Sequence, residues 1–240
     1  MILAANLKTN LTREKTNKYV KELEKFLSGS KSAQEVLVFP ATSSLDKFST
    51  SAIIGAQNAY LAQNGAFTGE IGLEHLEEFD IKTILIGHSE RRHILGETQE
   101  FLAKKFAFYM SHGFKIIYCI GEPLSVREAG HERMMEYISA QYEGIDTEYK
   151  NLIIAYEPVW AIGTGLTPTL EEIENIHKEL KKKSPAPILY GGSVKVTNAK
   201  EVLELQNVDG ILVGSAALYL EHFCSMISYA DEIEKLAGEK

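Results

Sequence analysis

Cysteine is nearly absent from this 240-residue chain: Cys119 and Cys224 are the only two. That excludes a disulfide framework or a cysteine-built metal cluster. Cys119 stands inside KIIYCI, an apolar run that reads as a buried strand, so the expectation is a reduced structural thiol. Positive charge is also short, 25 Lys and Arg against 33 Asp and Glu, for a net −8. A sequence-independent nucleic-acid binder needs a basic stripe and is excluded. One small anionic ligand is not, because a few local N–H groups and a single lysine can override the global field. No apolar run reaches membrane-spanning length, and MILAANLK lacks the basic-then-apolar pattern of a leader, so a soluble cytoplasmic protein is expected. No Pro/Gly/Ser-rich linker divides the chain, which predicts a single domain over residues 1–240.

What is present is a recurrence of short apolar runs: ILAAN (2–6), EVLVF (35–39), AIIGAQ (52–57), KTILIG (82–87), FKIIYCI (114–120), LIIAY (152–156), APILY (186–190) and DGILVG (209–214). Near-continuous Val, Ile, Leu and Ala is the pattern of parallel strands covered on both faces. Between them, residues 13–27, 97–111, 130–142, 169–182, 197–205 and 216–230 read as amphipathic helices. The 40–52 and 72–79 connections have room only for short ones. Strict alternation implies an α/β fold with a parallel sheet, and eight units at this length favour a closed (β/α)8 barrel. A doubly wound dinucleotide fold would carry a Gly-rich turn after the first strand, where this chain has NLKTN.

In such a barrel chemistry gathers where strands run into the following loops. Asn6 and Lys8 follow strand 1; His88, Ser89 and Glu90 follow strand 4; Glu122 follows strand 5. Glu157 follows strand 6, Gly191, Gly192 and Ser193 follow strand 7, and Gly214 and Ser215 follow strand 8. Alone, a lysine at a strand end is ordinary surface and a histidine there is an ordinary cap. Glu157 is different: a carboxylate closing a buried run, braced by Pro158 and Trp160, needs a partner, because lone burial of charge is costly. Glycines in two adjacent loops expose N–H groups that suit a phosphate. No Cys or Ser is paired with a base for covalent catalysis, and no metal-ligand spacing occurs. The residues point to proton transfer on a small phosphorylated molecule, with neither cofactor nor metal.

GHSERR (87–92), CIGE (119–122), AYEPVWAIGTG (155–165), YGGSV (190–194) and QN…GAFTGEI (57–71) together resemble the triosephosphate isomerases, in order and from Asn6 to about Leu218. The resemblance implies the TIM barrel and interconversion of dihydroxyacetone phosphate and D-glyceraldehyde 3-phosphate through an enediolate. It implies Glu157 as base, His88 as the group polarising the carbonyl, and Lys8 with Asn6 stabilising the anion. Glu90 would support Lys8 or His88, and Gly163, Ser193, Gly214 and Ser215 would bind the phosphate. WAIGTG would be a lid that excludes water. Residues 65–70 would reach into a second copy, making a homodimer with Thr68 near the partner's site.

The chain departs from that pattern at Leu7, usually Trp, and at Ser215, usually Gly, where a positive φ would be disfavoured. It departs again at Pro168. In the family a Tyr hydroxyl, here Tyr190, takes an N–H at that hinge position, and proline has none; a second latch would join Ser193 to Gly165. A Schiff-base aldolase would need a lysine in strand 6, and NLIIAYE has none. A catalytically inactive barrel serving as a phosphate-ligand binder or scaffold would have lost a charged site residue, whereas Lys8, His88 and Glu157 are all present.

Overall fold

A computed structural model describes residues 1–162 and 166–238. Within them, eight parallel strands form one sheet: β1 (Ile2–Asn6), β2 (Glu35–Phe39), β3 (Ile53–Ile54), β4 (Thr83–Ile86), β5 (Lys115–Ile120), β6 (Leu152–Tyr156), β7 (Ile188–Tyr190) and β8 (Gly210–Val213). The ladders run β3-β2-β1-β8-β7-β6-β5-β4. An isolated parallel bridge, Ala56 to Ile84, joins the two ends. There the Ala56 N–H donates to the Thr83 carbonyl at 2.9 Å and the Ala56 carbonyl accepts from Leu85 at 2.9 Å. The sheet thus closes into the expected single-domain α/β TIM barrel.

Successive side chains on a strand face opposite ways, and here both sides are covered. Ala4, Leu37, Phe39, Ile117, Cys119 and Leu212 belong to the cluster filling the barrel. Leu3, Ala5, Val36 and Val38 pack outward with Tyr19, Val20 and Leu23 of α1 (Arg13–Ser30). That double coverage is why the strands read as unbroken apolar runs.

The remaining helices are α2 (Leu73–Glu78), α3 (Ser89–His93), α4 (Gln99–Ser111), α5 (Leu124–Glu128), α6 (His131–Ala140), α7 (Leu170–Leu180), α8 (Val196–Leu203) and α9 (Leu220–Gly238). Three details differ from the sequence expectation. The third strand shrinks to two residues, Ile53 and Ile54 paired with β2, after which the chain turns its Ala56 bonds to β4; Gly55 leaves room there for the Phe39 ring, 2.2 Å from where a Cβ would lie. The 40–52 connection holds only the 3-10 turn Thr42–Ser44. The last helix starts later than expected, after the separate 3-10 turn Ser215–Leu218. Thr169 and Glu172 form a reciprocal cap on α7, with N–H to side-chain bonds of 3.2 and 2.7 Å.

Candidate active site

Asn6, buried at the end of β1, accepts the Lys8 N–H on Oδ1 at 3.0 Å. Lys8 has φ 51°, the left-handed region that a side chain enters only at a cost. Gln57 holds it there: its amide donates to the Lys8 carbonyl at 2.7 Å and to the Phe39 carbonyl at 2.9 Å. The Lys8 ammonium in turn meets Glu90 Oε1 at 2.5 Å. The Lys8 backbone is therefore pinned through its carbonyl, and its side chain joins the end of β1 to the start of α3.

His88 caps α3, its Nδ1 accepting the Glu90 N–H at 3.3 Å, which requires a lone pair on that nitrogen. Its Nε2 then carries the proton and faces Glu157 Oε1 at 3.0 Å. Glu157 Oε2 accepts the Ser89 N–H at 2.9 Å. Glu157 is 2% exposed. Burial alone would raise its pKa, but the His88 ring, the Ser89 N–H and the Lys8 charge outweigh burial and hold it below the usual carboxylate range. For His88, burial pulls the pKa down and Lys8 adds to this. The Glu157 charge and hydrogen bond, with Glu90, exceed that pull and raise it. The pair therefore depends on contact: moving the carboxylate away withdraws what raises the imidazole. Main-chain placement is equally tight. The Glu157 N–H bonds to Ile120 at 2.7 Å, and a Cβ on Gly121 would fall 1.7 Å from the Glu157 carbonyl.

These groups line a cavity of about 730 Å³ that includes Asn6, Lys8, His88, Glu157, Ser193 and Ser215. Gly191, Gly192 and Gly214 line the same space; a Cβ on Gly191 would fall 3.0 Å from the Glu157 side chain and one on Gly214 3.4 Å from that of Lys8, so the Gly/Ser loops after β7 and β8 adjoin the titratable groups. Ser215 begins its 3-10 turn without a positive φ, so the substitution of Gly is accommodated without strain. Gly163 and Gly165, with the centre of the expected lid, lie outside the described residues.

Glu122 is not part of this cavity. It is wholly buried beneath the segment that follows Glu157, accepting Trp160 Nε1–H at 2.9 Å and the Tyr156 hydroxyl at 3.2 Å. Burial raises its pKa against those donors and against Arg127, whose guanidinium lies over the Trp160 ring at 4.4 Å. Tyr190 is fully buried at the end of β7, and its hydroxyl has no hydrogen-bond partner among the described residues. Pro168, buried before α7, has no N–H to give it.

Two participants carried no role in the reading of the sequence. Gln57 was visible only as part of the QN motif. The N–H of Ser89 carries no side-chain signal; a following helix turn was the available hint.

Comparison with known proteins agrees with this geometry. A family profile described as triosephosphate isomerase matches residues 1–230. A triosephosphate isomerase of Sulfurimonas denitrificans is 72% identical over 235 residues, covering 98% of each chain. One from Sulfurovum sp. is 56% identical over 227 residues, 95% of this chain and 99% of its own. One from Helicobacter pylori is 49% identical over 231 residues, 95% and 98%. With family motifs at five strand ends and a profile match over nearly its whole length, the chain belongs to the triosephosphate isomerase family.

Proposed function

We propose that the chain interconverts dihydroxyacetone phosphate and D-glyceraldehyde 3-phosphate, with Glu157 moving the proton between the two carbons. The observation that carries this reading is the Glu157 carboxylate itself: buried, held ionised, and in contact with His88 at 3.0 Å in the wall of a cavity that the Gly/Ser loops also line. Both of its oxygens are engaged, by His88 and by Ser89. Turning toward a substrate carbon gives up at least one of those bonds. That frees the His88 Nε2–H to donate to the substrate oxygen and removes the charge that raises the imidazole. With the Glu90 N–H holding the Nδ1 lone pair, the imidazole serves as a neutral donor as the base engages. Lys8, with Asn6, stabilises the developing oxyanion, and Glu90 orients Lys8 while its N–H fixes the His88 tautomer. Ser193, Gly214, Ser215 and Gly163 bind the phosphate. The steps need neither cofactor nor metal.

The protein acts as a homodimer. Residues 65–70 project on a firm base: Lys105 bonds Asn58 at 2.6 Å, the Tyr109 hydroxyl bonds the Tyr60 carbonyl at 2.7 Å, and Phe67 packs on Tyr60 at 4.2 Å. Phe67 is nevertheless 41% exposed, and Ile94 and Leu95, which follow α3, are 76% and 63% exposed. Exposed apolar side chains on this arm and on the segment after α3 suit burial in a second copy. We place the protein in the cytoplasm, in keeping with two unpaired cysteines. Among the described residues, no helix is long and apolar enough to cross a membrane.

A coupled assay with D-glyceraldehyde 3-phosphate tests the activity. Glu157→Gln should cost about 10²–10⁴ in kcat with the fold intact by circular dichroism. Near-normal turnover by that variant would remove Glu157 from the mechanism. An inert wild-type protein that still binds the substrate would favour the scaffold reading.

A further inference from the structure

The charges lining the active-site cavity nearly cancel. Lys8 is committed to Glu90 at 2.5 Å, and Glu157 lies against His88. Lys195 is the exception. It is an exposed residue at the N-terminus of α8, it lines the same cavity, and its ammonium has no ion-pair partner among the described residues. Only its backbone is occupied: the N–H donates to Asn198 Oδ1 at 2.8 Å, while Asn198 also donates to the Ser193 carbonyl at 3.0 Å. The base of Lys195 is thereby tied to the loop that carries Ser193, and its long flexible stem is left free.

A phosphate monoester approaches as a near-dianion at neutral pH, and it approaches a protein of net charge −8. The global field opposes the encounter, so attraction must be local. We infer that Lys195 is the residue that draws the phosphate end of the substrate to the Gly/Ser loops, acting through space and setting kcat/KM without taking part in the chemical step. The inference rests on the proposed function, because it needs the phosphate to enter at that end of the cavity. Whether encounter or chemistry limits the reaction, a long-range attraction enters kcat/KM, and it fades as salt shortens the Debye length from about 30 Å at 0.01 M to a few Å near 1 M.

The test compares Lys195→Ala, Lys195→Glu and Lys21→Glu with the wild-type protein. Lys21 lies exposed on α1, outside the cavity lining, so Lys21→Glu changes the net charge equally. With a charge separation of roughly 10 Å, kcat/KM for D-glyceraldehyde 3-phosphate should fall about threefold in Lys195→Ala and about five- to tenfold in Lys195→Glu at 10 mM salt, and less than about twofold at 0.5 M. Turnover of unphosphorylated D-glyceraldehyde, a neutral analogue, and kcat for the phosphate should stay unchanged. The inference is overturned if the loss persists at high salt, appears equally with glyceraldehyde, or is matched by Lys21→Glu. An active wild-type protein indifferent to Lys195→Glu would sink this inference alone, whereas an inactive wild type would sink the proposed function.

Discussion

Replacing Tyr190 by Phe should stabilise the protein and leave turnover within about twofold. The hydroxyl is buried without a hydrogen-bond partner among the described residues, and it is wedged so closely that a Cβ on Gly192 would lie 2.1 Å from it. The ring packs near His177 at 6.2 Å. Glu172, bonded back to Thr169, is close enough to bias the phenol, so the start of α7 lies nearby. In the family resemblance this hydroxyl takes an N–H at position 168, which proline cannot supply. A buried polar group left unpaired costs about 1–3 kcal/mol, part of which returns when the oxygen is removed; a gain of about 1 kcal/mol is a fair expectation. For a chain of 240 residues the unfolding entropy is about 0.5 kcal/mol/K, so Tm should rise by about 2 °C. Restoring the donor reverses the sign: in a Pro168→Ala background, Tyr190→Phe should lower kcat about two- to tenfold, the worth of one neutral hydrogen bond. Calorimetry and kcat for the four hinge proteins decide it. If Tyr190→Phe lowers Tm by several degrees, or kcat tenfold, with Pro168 in place, the hydroxyl has a partner and the reasoning fails.

Gln57→Ala should release the left-handed backbone at Lys8, lowering kcat/KM about tenfold and Tm by about 2–4 °C; a Tm loss with unchanged kcat/KM would show that Gln57 does not position the lysine. His177, buried on α7, has its pKa pushed down to about 4 by burial, from 6.5. The unfolded chain therefore takes up a proton between those values that the folded chain refuses. The stability present above pH 6.5 is lost as pH falls toward 4, by up to about 3 kcal/mol. His177→Leu should flatten Tm against pH across that window, and an unchanged slope would assign the acid sensitivity elsewhere. Thr68→Arg should give monomers of low activity by sedimentation, and a fully active wild-type monomer at micromolar concentration would contradict the homodimer.

The strands were legible because burial on both faces leaves unbroken apolar runs, and the strand ends then offered candidates, of which Asn6, Lys8, His88, Glu157, Ser193 and Ser215 line one cavity and Glu122 does not. Other features leave no such trace. The third strand looked six residues long, since nothing in AIIGAQ reports that pairing with β2 covers only Ile53 and Ile54 before Ala56 bridges to β4. The helices α3 and α5 are five residues each, too short to show a period. Lys105 reads as one more charge on an amphipathic helix, yet it is 1% exposed and bonds Asn58 and Glu97. Its burial is a tertiary fact, fixed by partners 47 and 8 positions away. The left-handed turn at Lys8 is equally hidden, because lysine has no preference for that conformation and the clamp that imposes it comes from Gln57.

The single bridge at Ala56 makes the β3–β4 seam the thinnest stave of the barrel. Amide hydrogens there should exchange before those of the β5–β6 ladder, which is paired over five positions. Gln57 is the next residue along, and the projecting arm begins a few positions further. A second copy seated on that arm would clamp the seam from outside, and so stiffen the one segment that keeps Lys8 in its unfavourable backbone state. Association and catalytic competence would then share a hinge rather than merely coexist: dilution into monomers would loosen the Lys8 backbone as well as withdraw Thr68 from beside the site.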